Sequence, residues 1–239
     1  MEEQDVGRWK IKIPHPDSIL ADASSLISLA DVGLIGVLIA LRPYIKGELL
    51  ITEEVEREAI ERPLKIPKYS FSGVRLKRAL FDGVFKIITP NPETTDKVMK
   101  LANTLFSIGG KPFKLIHKGE AEIVAVAIDN KLKTLLIDER TTRTLIESPF
   151  ETKKHLTEEF RRGVDINREA LNEFKELTNG INMIRSSEII ALGYEYGYFK
   201  KFGDLKKDAF KAALYAIKFN GCAIGFDEIN ELIREIEGS

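Results

Sequence analysis

Short apolar runs alternate along the chain with longer stretches in which apolar residues recur at helical spacing. Runs of this kind at residues 18–21, 48–51, 84–88 and 134–137 predict β-strands, and a shorter run at 182–184 predicts a fifth. Strands that alternate with helices in this way form βαβ units around a parallel sheet. The pattern therefore predicts a protein of the α/β class.

The helical stretches fall between these strands and after the last one. A first helix is predicted directly after Asp22, and Thr52 is expected to cap another that continues to Ile60. Small apolar residues at 119–130 indicate a helix that packs closely. Residues 149–179 are polar and charged, and we expect them to leave the sheet. The remaining predicted helices cover residues 33–41, 74–81, 93–106, 167–177, 187–198, 204–219 and 226–236.

Acidic residues stand where a parallel sheet would bring them to one edge. Asp22 follows the first predicted strand, and Asp138 follows the fourth. Glu58 lies in the helix after the second strand, and Glu120 opens the helix before the fourth. Open parallel sheets bind ligands at the carboxyl ends of their strands. Four carboxylates there would need a cation, and Mg²⁺ or Mn²⁺ suits such hard oxygen ligands.

These acids suggest metal-assisted hydrolysis of a phosphodiester. Each also has an ordinary structural explanation. Asp22 could cap a helix and Asp138 could simply end a strand. Glu120 would favour a helix dipole, and Glu58 could be one more charge on a solvated helix face. Their common sheet edge, more than any one of them, favours a functional site.

Composition narrows the class of protein. The apolar content of 44% and charged content of 31% are those of a soluble globular protein. A net charge of -1 means that any polyanion must be held by local patches. Cys222 is the only cysteine, which excludes an internal disulfide and fits a reducing, cytoplasmic location. The most apolar window, residues 26–41, contains Asp31 and is too short to span a membrane, so we interpret it as buried helix.

Basic residues gather in two places. Arg140 and Arg143 lie close to Asp138 in the sequence and are candidates for phosphate contacts. A second basic run follows Pro63, although a solvated face is the commoner explanation for such a run. Its members are Lys65, Lys68, Arg75, Lys77 and Arg78.

Four segments together resemble the PIN-domain nucleases. They are residues 19–24 (ILADAS), 51–58 (ITEEVERE), 119–127 (GEAEIVAVA) and 135–140 (LLIDER), and their order and separation match that family from about residue 17 to 147. Residues 184–193 (IRSSEIIALG) resemble the last strand and following helix of one prokaryotic, toxin-like branch.

The resemblance implies a three-layer α/β/α sandwich with a central parallel sheet and a divalent-metal site that cleaves single-stranded RNA. By position, Asp22 would be the first acid and Asp138 the last. Glu58, three residues after a valine, would be the second acid, and Glu120 the third, each acting as catalytic residue and metal ligand. The family commonly has aspartate at the third position. Alternates are Glu54 and Glu122, and candidate positioning residues are Ser24 and Thr141.

The resemblance also implies a domain plan and partners. Residues 17–200 would form the PIN-like domain with 149–179 as an insertion, and 201–239 a C-terminal helical extension packed on the core. Single-stranded RNA is the expected partner, an antitoxin protein is a candidate partner, and the chain is expected to form homodimers. A rival interpretation is a non-catalytic PIN-like module for RNA binding or assembly. A third is a metal-binding regulatory domain without an RNA role.

Overall fold

The computed structural model describes residues 18–237, which form two β-sheets surrounded by helices. Residue 17 and residues 238–239, where the predicted domains begin and end, lie outside the described residues. The strands are β1 (Ile19–Ala21), β2 (Leu49–Thr52), β3 (Phe85–Ile88), β4 (Phe106–Ile108), β5 (Lys111–Pro112), β6 (Thr134–Leu136), β7 (Val164–Ile166) and β8 (Asn182–Ile184).

Helices connect and cover these strands. They are α1 (Ala23–Asp31), α2 (Ile35–Leu41), α3 (Glu53–Glu56), α4 (Arg62–Leu64), α5 (Ser70–Phe81), α6 (Pro92–Ala102), α7 (Lys118–Asp129), α8 (Arg140–Glu147), α9 (Pro149–Phe160), α10 (Arg168–Leu177), α11 (Ser186–Glu195), α12 (Lys206–Phe219) and α13 (Phe226–Glu237). A π-helical turn, Arg57–Glu61, joins α3 to α4, and two 3-10 turns span Arg42–Tyr44 and Tyr198–Leu205.

The main sheet has five parallel strands in the order β3-β2-β1-β6-β8. The chain builds outward from β1 on one side and then crosses to β6 on the other. The strand order therefore reverses between β1 and β6, which is where open α/β sheets bind their ligands. All three residues of β1 are buried, as expected for a central strand with helices on both faces. The predicted α/β sandwich with a parallel sheet is confirmed.

Local sequence signals account for the main boundaries. The Thr52 hydroxyl accepts a hydrogen bond from the Val55 backbone N–H at 3.3 Å, so the predicted cap is confirmed. The helix predicted for residues 93–106 was too long, because α6 ends at Ala102. Asn103 stops it: its Oδ1 accepts from the N–H groups of Leu115 and Ile116 at 2.7 and 3.0 Å. The chain then turns into β4.

The smaller sheet is antiparallel, in the order β5-β4-β7. Gly109 and Gly110, both at positive φ, make the two-residue turn between β4 and β5 that a hairpin requires. Strand β7 belongs to the segment 149–179, which lies outside the main sheet but pairs with β4. The same segment contributes Leu171 and Phe174 to a second hydrophobic cluster. It therefore completes a core of its own with α6 and α7.

Helix α7 lies between the two hydrophobic clusters. Ile123 and Val126 pack in the main core, whereas Val124 and Ala125 pack in the second. A helix that is apolar on all sides must be buried on all sides, and residues 121–127 are all buried. The prediction that this segment packs closely is confirmed.

The C-terminal helices also join the main core. Phe210 and Leu214 of α12 are almost fully buried there, as is Ile229 of α13. The division of the chain near residue 200 stays a prediction, as does the status of residues 149–179 as an insertion.

No single helix within residues 18–237 is long and apolar enough to cross a membrane. One pair passes the test of length and composition together, namely α1 with Ile35–Tyr44, but the pair is bent by 111°. Its apolar side chains, such as Leu29 and Leu38, lie in the hydrophobic core.

Candidate active site

Asp22 lies at the carboxyl end of the central strand, where α1 begins. Its backbone N–H donates to the Leu136 carbonyl at 2.9 Å, which fixes it beside β6. Its Oδ2 accepts from the Ser24 backbone N–H at 3.1 Å and from the Ser24 hydroxyl at 2.6 Å. Burial nevertheless raises the pKa of Asp22, and the negative charge of Glu120 raises it further against these hydrogen bonds.

Glu58 is presented by the π-helical turn between α3 and α4. Such turns insert an extra residue into a helix, shift the side chains that follow, and are frequent at functional sites. Glu58 is half-buried, and Arg62 lies 3.4 Å from its Oε1. Desolvation raises the pKa of Glu58, Arg62 opposes this, and the charges of Asp22 and Glu120 add to the rise.

Glu120 stands in the first turn of α7. Its Oε2 accepts from the His117 backbone N–H at 2.8 Å, which is the hydrogen bond of a capping box. Glu120 raises the pKa of both Asp22 and Glu58. Three of the four predicted acids, each from a different element, therefore lie near enough for the charge of one to affect the pKa of another.

Asp138 has different surroundings, although it too follows a central strand. Its side chain is fully buried. Its Oδ1 accepts from the Ser186 backbone N–H at 2.7 Å, and its Oδ2 accepts from the Ser186 hydroxyl at 2.8 Å. Ser186 is the first residue of α11, so the Asp138 carboxylate caps that helix from 48 residues away. Its assignment as a metal ligand stays a prediction.

Ser24 connects the ends of the two central strands. Its hydroxyl donates to Asp22 and accepts from the Asp138 backbone N–H at 3.3 Å. The serine therefore holds the Asp22 carboxylate in place while it is itself held by the chain after β6. Thr141 lies in the first turn of α8, and its N–H donates to the Glu139 side chain at 2.6 Å.

The alternates are engaged in ion pairs. Glu54 forms a close ion pair with Arg57 and lies 4.0 Å from Arg62. Its Cγ lies 3.5 Å from where a side chain at Gly119 would begin, so it borders the start of α7. Glu122 is buried, and Lys118 lies 3.6 Å from its Oε1. The sequence singled out neither Arg57 nor Arg62, although both alternate with the glutamates at helical spacing, which is the signal that could have revealed them.

Some of the basic residues considered as phosphate contacts are exposed, and others are largely buried. Arg140 is exposed. Arg143 is largely buried, with its Nε 3.9 Å from Glu147. In the second basic run, Arg75 donates to the Ala30 carbonyl at 2.7 Å, so this arginine holds α5 to the end of α1. Lys77 of that run is exposed.

The donor set fits a hard divalent cation. Three carboxylates contribute oxygen ligands of the kind that Mg²⁺ and Mn²⁺ prefer. Burial, and to a lesser extent the neighbouring acids, raise the pKa values of Asp22 and Glu58, so a nearby cation would favour their charged forms. Within residues 18–237, however, no three acidic, histidine or cysteine side chains are close enough to hold a metal as they stand. Glu58, with 39% of its side chain exposed, is the member with room to move.

A parallel α/β sheet with acids gathered at its switch point defines the class of the protein. A family model, DUF3368, described as a PIN domain, matches residues 18–148, just over half of the chain. The chain therefore belongs to the PIN-domain family, as the resemblance predicted. PIN domains are commonly nucleases and typically bind divalent metals. The curated proteins and the solved structures yield no significant match.

Proposed function

We propose that this protein is a divalent-metal-dependent endoribonuclease that hydrolyses phosphodiester bonds in single-stranded RNA. The observation that carries the proposal is the shared site of Asp22, Glu58 and Glu120, where burial and the neighbouring acids raise the pKa values of Asp22 and Glu58. Membership of the PIN family supports hydrolysis of nucleic acid, and the choice of single-stranded RNA extends the family resemblance.

Asp22, Glu58 and Glu120 would hold Mg²⁺ or Mn²⁺. When bound, such an ion lowers the pKa of a coordinated water and stabilises charge that develops on the phosphate. Ser24 donates hydrogen bonds to the Asp22 carboxylate from its backbone N–H and its hydroxyl, and so orients that carboxylate. Arg57 and Arg62 flank the acids and offer guanidinium groups to the phosphates of a bound strand.

Binding of RNA without cleavage is the second candidate function. Two observations favour it: no metal-binding triad is assembled among residues 18–237, and the Asp138 carboxylate is fully buried against Ser186. In that case the protein would have the fold of a nuclease without its activity. The arginines beside the acids would bind the phosphates of the RNA.

Cleavage of a mixed pool of single-stranded RNAs tests the proposal. Purified wild-type protein and Asp22→Asn are compared over a range of Mn²⁺ and Mg²⁺ concentrations and with a chelator. The matched control is Asp204→Asn, an exposed aspartate in the 3-10 turn before α12. We expect metal-dependent cleavage by wild type and control only. Equal cleavage by all three proteins would indicate contamination, and binding without cleavage would favour the second candidate.

The cellular setting is likewise a proposal. We propose a cytoplasmic homodimer, and an antitoxin protein encoded nearby as a partner. Light scattering at micromolar concentration tests the dimer, and a strict monomer would contradict it. Co-expression with the product of a short neighbouring reading frame tests the antitoxin, since a true antitoxin would copurify and suppress cleavage.

A further inference from the structure

We infer that Asp138 is a positioning residue, which fixes the active site through α11 and Ser24 and does not bind the metal. The inference rests on the proposed function, because it assigns a role within the same site. Three observations carry it: the burial of the carboxylate, the use of both its oxygens, and the link from its backbone to Asp22.

The first argument is that the Asp138 carboxylate is buried and already has a hydrogen bond to each oxygen. Asp138 is fully buried, and each of its side-chain oxygens accepts a hydrogen bond from Ser186, at 2.7 and 2.8 Å. A carboxylate at the start of a helix is also stabilised by the helix dipole. Each oxygen keeps a second lone pair, but the side chain is fully buried, so a metal could reach it only if the packing between the sheet and α11 opened.

The second argument is the set of hydrogen bonds that links the backbone of residue 138 to Asp22 through Ser24. The Asp138 backbone N–H donates to the Ser24 hydroxyl, and that hydroxyl donates to Asp22. The Asp138 carbonyl also accepts from the Ala223 N–H at 3.2 Å, between α12 and α13. The backbone of residue 138 is therefore held from several sides, and its position sets where Ser24 can hold Asp22.

The substitution Asp138→Asn distinguishes a helix-capping role from a metal-binding role. The asparagine carbonyl oxygen can accept from the Ser186 N–H, and its amide can donate to the Ser186 hydroxyl, so the cap survives while the negative charge is lost. Alanine keeps neither. A metal ligand would be disabled by both substitutions, whereas a positioning residue would be rescued by asparagine.

The test measures Mn²⁺ binding by calorimetry for wild type, Asp138→Asn, Asp138→Ala and Asp22→Asn, together with kcat and KM on a single-stranded RNA. We expect Asp138→Asn to keep the Mn²⁺ dissociation constant within about threefold of wild type, a difference of about 0.7 kcal/mol or less. We expect Asp22→Asn to weaken it at least tenfold. Weakening by Asp138→Asn as large as that by Asp22→Asn would overturn the inference.

Melting in chelator tests the cap without metal. Asp138→Asn should melt close to wild type, and both Asp138→Ala and Ser186→Ala should melt lower. An Asp138→Ala variant that melts like wild type would overturn the inference. A wild-type protein that binds no Mn²⁺ would instead remove the proposed function, and this melting experiment would still decide whether Asp138 is a cap.

Discussion

Asp22 and Asp138 end adjacent central strands, and the sequence presents them alike, each as an aspartate after a short apolar run. The structure treats them differently. Asp22 is half-buried, held by its near neighbour Ser24, and surrounded by the charges of two glutamates. Asp138 is fully buried and is hydrogen-bonded to Ser186, at the start of a helix 48 residues away. The same local signal therefore yields one carboxylate beside two other acids and one that is buried with both oxygens hydrogen-bonded.

The comparison separates reactivity from stability. A carboxylate whose pKa is raised by burial and by like charges destabilises the metal-free protein and gains most from a cation. A carboxylate with both oxygens hydrogen-bonded stabilises the fold, and it loses those bonds if it changes partners. A substitution at position 22 should therefore reduce activity without lowering the stability of the fold. A substitution at position 138 that removes the hydrogen bonds should lower that stability.

The largest expected effect is on cleavage by Asp22→Asn. We expect the rate to fall by on the order of 100- to 1,000-fold, the range found when one charge-stabilising group is removed from an active site. The measurement is kcat/KM at saturating Mn²⁺. Asp204→Asn, the matched control, should retain the wild-type rate. A loss of less than about tenfold at Asp22 would show that the two aspartates differ less than their surroundings suggest.

The second effect is on folding by Asp138→Ala. The substitution removes two hydrogen bonds to a charged group and leaves the buried Ser186 N–H without that acceptor, so we expect a loss of about 3 kcal/mol. For a domain of this size, that corresponds to a melting temperature lower by roughly 6–12 °C. Thermal denaturation in chelator measures it. In the same assay Asp22→Asn should melt no lower than wild type, because it relieves repulsion.

The third effect is the pH dependence of the metal-free protein. The pKa values of Asp22 and Glu58 are raised in the folded state, so folding takes up protons between the unfolded and folded pKa values. Stability should therefore be highest at the acidic end of that window and should fall as pH rises through the folded pKa values. Urea titrations in chelator across this range measure the slope. The slope should flatten in Asp22→Asn, and an unchanged slope would mean that other groups titrate.

The fourth effect concerns the link between the two aspartates. Ser24→Ala removes the hydroxyl that joins Asp22 to the backbone of residue 138. One hydrogen bond contributes about 1 kcal/mol, so we expect Mn²⁺ affinity to fall by about fivefold. Calorimetry measures this change. Ser24→Thr, which keeps the hydroxyl, should restore most of the affinity, and failure to do so would point to packing.

The smallest effect distinguishes the two glutamates of α7. Glu120→Gln removes a charge that acts on Asp22 and Glu58, and should weaken Mn²⁺ binding. Glu122→Gln removes only a partner of the exposed Lys118, and should change the affinity by no more than about twofold. The same calorimetric titrations compare them. A larger loss at Glu122 would reverse the assignment of the third acid.

Local patterns were sufficient for much of the fold. The strands after residues 18, 48 and 134 lie within one residue of their predicted bounds, because short apolar runs bounded by polar residues have few alternative conformations. The helix cap at Thr52 was also predictable, because the N–H group that it accepts from is only three residues away. Three of the acids also reach one site, because strand order and helix starts fix where they emerge.

The end of α6 shows where such patterns fail. Residues 93–106 continue the helical spacing in the sequence. In the structure, however, the Asn103 side chain accepts hydrogen bonds from the backbone N–H groups of residues 115 and 116, and Phe106 pairs with β7. The π-helical turn at Glu58 is a second case, because its extra residue leaves no periodic trace in the sequence. The end of α6 depends on contacts that form only when the segments that follow it pack back on residues 103–106.

The sequence by itself determined which residues become strands and which acids stand at strand ends or helix starts, because those choices depend on neighbours within one or two turns. Only the tertiary structure decided which groups surround each acid. The partner of Asp22 is two residues away, whereas that of Asp138 is Ser186 at the start of α11, which follows β8 and is brought beside β6 by the pairing of these two strands. Burial and hydrogen bonding are properties of that assembled environment, so the protonation and the role of a carboxylate follow from it.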